Sequence, residues 1–236
     1  MNTPSNISLL WLLQLSDSAL PIGTLSHSFG LEALAIQESF TAEGLELFLH
    51  DYLTEVVGLE IHFCGAAYQT GRRAMGPDEI QSWLDLNTKL GAFKMARESR
   101  TASSTLGRRF IQLVDSLAGL TVLQVAIEAA RQAEVDVHHC TAFGLASAAL
   151  GIEEEAALLA YSHQTLANLI SVCQRLLPVG QTQASRLLWD LKPVLTEVVS
   201  RAQENRFDLD QALCFVPLLE VASMRHPSLS TRLFIS

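Results

Sequence analysis

Residues 43–63 read "EGLELFLHDYLTEVVGLEIHF". Leu45, Phe48, Leu49, Tyr52, Leu53, Val56, Leu59 and Phe63 recur in steps of three and four, with Glu43, Glu46 and His50 set opposite. Such steps return to one face of a 3.6-residue repeat, so the stretch predicts an amphipathic helix. The same spacing recurs over 184–202, through Ala184, Leu187, Leu188, Leu191, Leu195, Val198, Val199 and Ala202. Pro193 lacks a backbone N–H and predicts a break in that run near Lys192. Pro77 with Asp78 and Glu79 suits a helix start, where proline fits the first turn and acids face the dipole. Glu153–Glu155 open another helix, which Pro178 and Gly180 close. Two-residue alternation rich in β-branched residues is nearly absent, and no Gly- or Ser-rich linker divides the chain. The pattern predicts an all-α, single-domain helical bundle of about eight to ten helices over residues 1–236. Ala142, Gly144, Ala146, Ser147, Ala148 and Gly151 are all small. Their helix is expected at the centre, with neighbours close against its backbone.

Hydrophobic residues make up 49% of the chain and charged residues only 17%, below the usual quarter or so. So little charge leaves apolar surface for another chain to cover; a large, charge-poor core is the alternative. The net charge is −9, and no Lys or Arg precedes Arg72. Asp17, Glu32, Glu38, Glu43, Glu46, Asp51, Glu55 and Glu60 give the first 71 residues −8 of that charge. An acidic end argues against nucleic acid and favours a basic protein partner or a cation; a solvated acidic face is the alternative. Cys64, Cys140, Cys173 and Cys214 are far apart and form no CxxC pair, which reads as reduced thiols in the cytoplasm. "ISLLWLLQL" at 7–15 follows no basic segment, and no run reaches 18 uncharged apolar residues, so neither a signal peptide nor a membrane span is expected.

Four stretches carry chemistry-bearing side chains. In "LSDSALPIGTLSHSFGLEA", 15–33, Asp17, Ser26, His27 and Ser28 hold the parts of a small serine hydrolase. The nucleophile elbow G-x-S-x-G is missing, however, and no strand precedes Ser26. The bland reading makes Pro21 and Gly23 a turn and Ser26 the cap of a helix carrying His27, Phe29 and Leu31. His62 with Cys64, and His138, His139 and Cys140, offer imidazole and thiolate suited to nickel or zinc, as in a nickel-binding storage protein. Neither has closed-site spacing, although Asp51, Glu55 and His62 share a flank. In "KMARESRTASSTLGRR", 94–109, Met95, Ala102, Leu106 and Leu113 face one way, and Lys94, Arg97, Arg100 and Arg108 the other. That basic side offers forks for an acidic partner, or a solvated arc tied by a Lys94–Glu98 pair.

"LSDSALPIGTLSHSFGLEA", "ARESRTASSTLGRR", "NLISVCQRLLPVGQTQA" and "PLLEVASMRHPSLSTRLF" occur in this order, and with them the chain resembles the urease accessory protein UreF family from Leu15 to Phe234. The resemblance implies an all-α, non-enzymatic adaptor that dimerises. Its partners would be the UreD/UreH scaffold, the nickel-carrying GTPase UreG and apo-urease, with no stably bound cofactor and nickel only in transit. It further implies that residues 225–236 form a partner-binding tail, pointing to Met224, Arg225, His226, Arg232, Leu233 and Phe234 for the scaffold. Read from its residues alone, arginine mixed with apolar side chains after Pro227 suits a segment that orders on a partner, and packing back on its own domain is the competing reading. Pro178, Gly180, Gln181 and Gln183 of "PVGQTQ" would lie near the dimer and GTPase-facing surface. Thr24 and Leu25 stand where the family commonly has glycine and an aromatic, and Leu229–Thr231 lack its common tyrosine.

Overall fold

The computed structural model describes residues 6–36, 40–210 and 212–235, and every regular element among them is helical. In order these are α1 (Asn6–Leu15), α2 (Leu31–Ile36), α3 (Leu45–Tyr52), α4 (Gly58–Gly71), α5 (Pro77–Phe93), α6 (Arg97–Ala118), α7 (Thr121–Gln132), α8 (His139–Ala149), α9 (Glu154–Leu176), α10 (Gln181–Asp190), α11 (Lys192–Glu204) and α12 (Pro217–Arg225). Short 3-10 turns cover Thr24–Ser26 and His226–Ser228. The expected helix boundaries at Pro77, Glu153 and Pro193 are all present. Glu153 caps α9 itself, its carboxylate accepting the Glu155 and Ala156 N–H groups.

Residues 43–63 form part of one rod with a flaw. Between α3 and α4, Leu53–Val57 make a π turn in which the Gly58 N–H reaches back five residues to the Leu53 carbonyl. The extra residue shifts the phase of the apolar face. Leu45, Leu49 and Leu53 are fully buried before it, and Val57, Ile61, Phe63 and Cys64 after it, while Val56 and Phe48 are only partly buried. A strict 3.6-residue count therefore chose Val56 where the fold buries Val57.

The small-residue helix α8 is central as expected. It packs chiefly against α4, with α6 and α9 beside it. A Cβ at Gly144 would strike the Cys64 carbonyl of α4, and one at Gly107 of α6 would strike the backbone of Val137 and His138. These glycines set how close the three helices lie. A single apolar core runs through the bundle, from Leu12 of α1 to Phe234.

A charged cluster lies inside that core. Lys94 Nζ donates to Glu60 Oε1 at 2.7 Å and the Tyr161 hydroxyl donates to Glu60 Oε2 at 2.8 Å. Burial pushes the Glu60 carboxyl up and the Lys94 ammonium down, but each holds the other charged, so Glu60 ends below its ordinary value and Lys94 above. This corrects the expected surface pair with Glu98: Lys94 precedes α6 and turns inward to α4, and the neighbouring Met95 is 63% exposed.

Candidate functional site

The residues of "LSDSALPIGTLSHSFGLEA" and of "PLLEVASMRHPSLSTRLF" lie 200 positions apart in sequence and meet in space. Asp17 closes the first turn by accepting the Ala19 N–H at 2.8 Å. Gly23 then takes a left-handed φ of 89°, a 3-10 turn follows, and Gly30 takes φ 87° before α2 begins at Leu31. His27 is extended and Phe29 has a positive φ, so Ser26 does not cap a helix containing them. The glycine at 30 is demanded by proximity as well as by φ: a Cβ there would sit 2.7 Å from Ser223 Oγ and 2.9 Å from the Leu219 carbonyl of α12.

Glu32 is the centre of the junction. It is 2% exposed, and its carboxylate gathers three donors. His226 Nε2–H donates to Oε2 at 2.7 Å, the Leu233 N–H to Oε1 at 2.5 Å and the Phe234 N–H to Oε2 at 3.3 Å. The Ile235 N–H adds a bond to the Ser26 carbonyl at 2.9 Å. Arg175 of α9 donates to the Leu25 carbonyl at 3.1 Å and lies over the Phe234 ring, 5.6 Å from its centroid. Residues 233–235 are thus fastened to the loop before α2, and Phe234 is buried beneath them.

Six tail residues were expected to face a partner, and the structure divides them. His226 and Phe234 are buried anchors, whereas Met224, Arg225, Arg232 and Leu233 point outward. Ser236 lies outside the described residues. Pro178, Gly180, Gln181 and Gln183 are exposed at the α9–α10 corner, with the Val179 between them buried. Glu32 was counted in sequence only as one acid among the many of the first 71 residues. Its position as the second residue of α2 gave no sign of tail partners 194 to 202 residues away.

Among the described residues no hydrogen bond joins Asp17, Ser26 or Ser28 to His27 as a triad would need. Burial first, and then the nearby Arg109 guanidinium, lower the His27 imidazole pKa. Arg109 itself donates to the Ile22 carbonyl at 3.2 Å. Asp17 is exposed and spends an oxygen on its own turn, and the Ser28 hydroxyl is buried with no hydrogen-bond partner.

The histidines proposed for metal are separated from one another. His138 sits between α5 and α6, its Nδ1 3.1 Å from Ser103 Oγ while its backbone N–H donates to Asn87 Oδ1. Next to it in sequence, His139 turns the other way into the Phe110, Phe143 and Tyr161 rings. Burial drives both imidazoles to low pKa, about 3 for His138 and about 4 for His139, with Lys94 adding to the effect. His62 pairs its Nδ1 with the Gly58 carbonyl at 2.9 Å, and shares a cavity of about 200 Å³ with Glu55 but not with Asp51. Among the described residues no group of three or more His, Cys, Asp or Glu side chains is placed to hold a metal ion.

Comparison with known proteins places the chain among named relatives. Residues 40–192 match the profile of the UreF family. The chain belongs to the UreF family. A Nostoc protein named urease accessory protein UreF is 33% identical over 229 residues, covering 96% of this chain and 95% of its own. The Geobacillus kaustophilus and Bacillus sp. TB-90 proteins of the same name are 29% and 31% identical over 97% of this chain, and 98% and 99% of theirs. The family match ends at 192, before the tail, yet these UreF relatives align along nearly the whole chain. No helix among the described residues is long and apolar enough to cross a membrane.

Proposed function

We propose that this UreF protein is a cytoplasmic adaptor in urease maturation, with no catalytic step of its own. It holds the UreD/UreH scaffold through α12 and the tail, and the GTPase UreG near the "PVGQTQ" corner. As a homodimer it brings both to apo-urease, so nickel released on GTP hydrolysis passes between proteins and not through bulk solvent. The observation that carries the reading is the fastened tail. Buried His226 and Phe234 bind it to Glu32, and this leaves Arg225, Arg232, Leu233 and Met224 displayed on an ordered backbone. A displayed segment already ordered loses less conformational freedom on docking than a free tail. Arginine beside exposed apolar side chains is also the composition of an interface hot spot.

Truncation after Met224 tests this poorly, because it strips the partners from buried Glu32. The sharper variants are Arg232→Ala and Leu233→Asp, both at exposed positions, assayed by pulldown with purified scaffold and GTPase. Capture of the scaffold is expected to fall at least tenfold while circular dichroism and melting stay unchanged. Undiminished capture by both variants would remove the tail from the mechanism.

A further inference from the structure

The described acids of the first 71 residues are not alike. Glu32 and Glu60 are buried and paired inside the fold, whereas Glu46 and Asp51 are exposed on α3, Glu43 is exposed just before it, and Glu55 is half-buried on the π turn. Beside them runs a groove of about 470 Å³ between α3 and residues 215–219. Leu34, Phe48 and Leu219 floor it. Asp51 and Glu55 stand on one wall, and on the other Phe215 and Leu218 are 80% and 62% exposed. Glu55 fixes the far wall by accepting the Phe215 N–H at 3.0 Å. No lysine or arginine lines the groove, and its single basic group is His50, whose Nδ1 lies 3.3 Å from Asp51 Oδ1.

We propose that this groove docks a basic amphipathic segment of a partner protein, with apolar side chains on the floor and Lys or Arg against Asp51 and Glu55. The inference rests on the adaptor reading and adds a second contact to it, separate from the tail. Charge selects the occupant. Carboxylates beside an apolar trough whose lining, among the described residues, holds no Lys or Arg favour a cationic visitor over a neutral one. A second copy applying the same face would bring like charges together across a two-fold axis. Anionic lipid headgroups would be repelled in the same way. A helix with apolar anchors at three- and four-residue spacing and basic flanks meets both features of the groove.

The test uses the full chain in two arms. In the first, a fluorescent synthetic helix of Leu and Lys at heptad spacing is titrated by anisotropy against its twin with Glu for Lys. The Lys peptide is expected to bind at least tenfold tighter. Asp51→Lys, at an exposed position, is expected to weaken it at least tenfold, and Asp51→Asn by less. Equal binding of the twins, or no effect of Asp51→Lys, overturns the proposal. In the second arm, Phe215→p-benzoylphenylalanine is photo-crosslinked in a mixture with the purified scaffold, GTPase and apo-urease. A crosslink to a segment with Lys or Arg flanking apolar residues supports the groove. A crosslink to a second copy or to an acidic segment overturns it. The tail contact of the adaptor reading fails separately, through undiminished capture of the scaffold by both Arg232→Ala and Leu233→Asp.

Discussion

Replacing Glu32 by glutamine keeps the volume of the side chain and removes its charge. The carboxylate accepts from His226, Leu233 and Phe234. A glutamine has one acceptor oxygen and must place its NH2 where the other oxygen was. With NH2 at the Oε1 position it faces the Leu233 N–H, and at the Oε2 position it faces the Phe234 N–H. Either orientation sets donor against donor in a site that is 2% exposed. A hydrogen bond to a charged group is worth about 1.5–3 kcal/mol, and the remaining bonds become neutral ones. The loss falls at about 3 kcal/mol, and at 1.4 kcal/mol per tenfold this is roughly a hundredfold increase in tail opening. Amide hydrogen exchange reads it directly: the Leu233 and Phe234 amides should exchange about a hundredfold faster, with α8 amides less affected. Trypsin should also cut after exposed Arg225 and Arg232 sooner in the variant. Unchanged exchange at Leu233 and Phe234 would show that the carboxylate does not hold the tail, and the account of the junction would fall with it.

Lys94→Met should leave Glu60 buried with only the Tyr161 hydroxyl, costing about 3–5 kcal/mol in urea unfolding. The double variant Lys94→Met, Glu60→Gln should recover much of that loss, and no recovery would refute the pairing. Gly144→Ala pushes a methyl into the Cys64 carbonyl and should cost about 2–3 kcal/mol, seen as a lower urea midpoint. His138 and His139 are held neutral in the fold, at about 3 and about 4, against roughly 6.5 unfolded. The unfolded chain therefore binds more protons below pH 6.5. Stability should be full above that pH and fall as acid is added, by about 2 kcal/mol per histidine at pH 5. His139→Leu should flatten the decline between pH 7 and 5 by about that amount in paired urea titrations.

The helical class and the main boundaries were legible because local rules decide them: proline at 77 and 193, acids at 153–155, and steps of three and four in the apolar residues. The central place of α8 was legible too, since only small side chains permit such close backbones. What escaped were features fixed by distant partners. Lys94 looked like the start of a basic surface arc, but Glu60, 34 residues earlier, draws it inside. His226 and Phe234 looked like outward-facing tail residues, and Glu32 buries them through contacts spanning 194 and 202 residues. His138 and His139 read as a pair of ligands, yet His138 is the extended residue before α8 and His139 its first helical one, so their side chains entered different pockets.

The π turn at 53–57 acts as a phase shifter in the α3–α4 rod. Without its surplus residue the rod would wind evenly, and the half containing Asp51 would rotate by about 100° relative to the half packed on α8. The core would tolerate this poorly, because Leu45, Leu49 and Leu53 would leave it together. The acids on the rim of the groove would turn with them. One residue of slack thus lets a single helix serve two masters, a close-packed centre and a charged outer wall, that a regular spiral could not align at once.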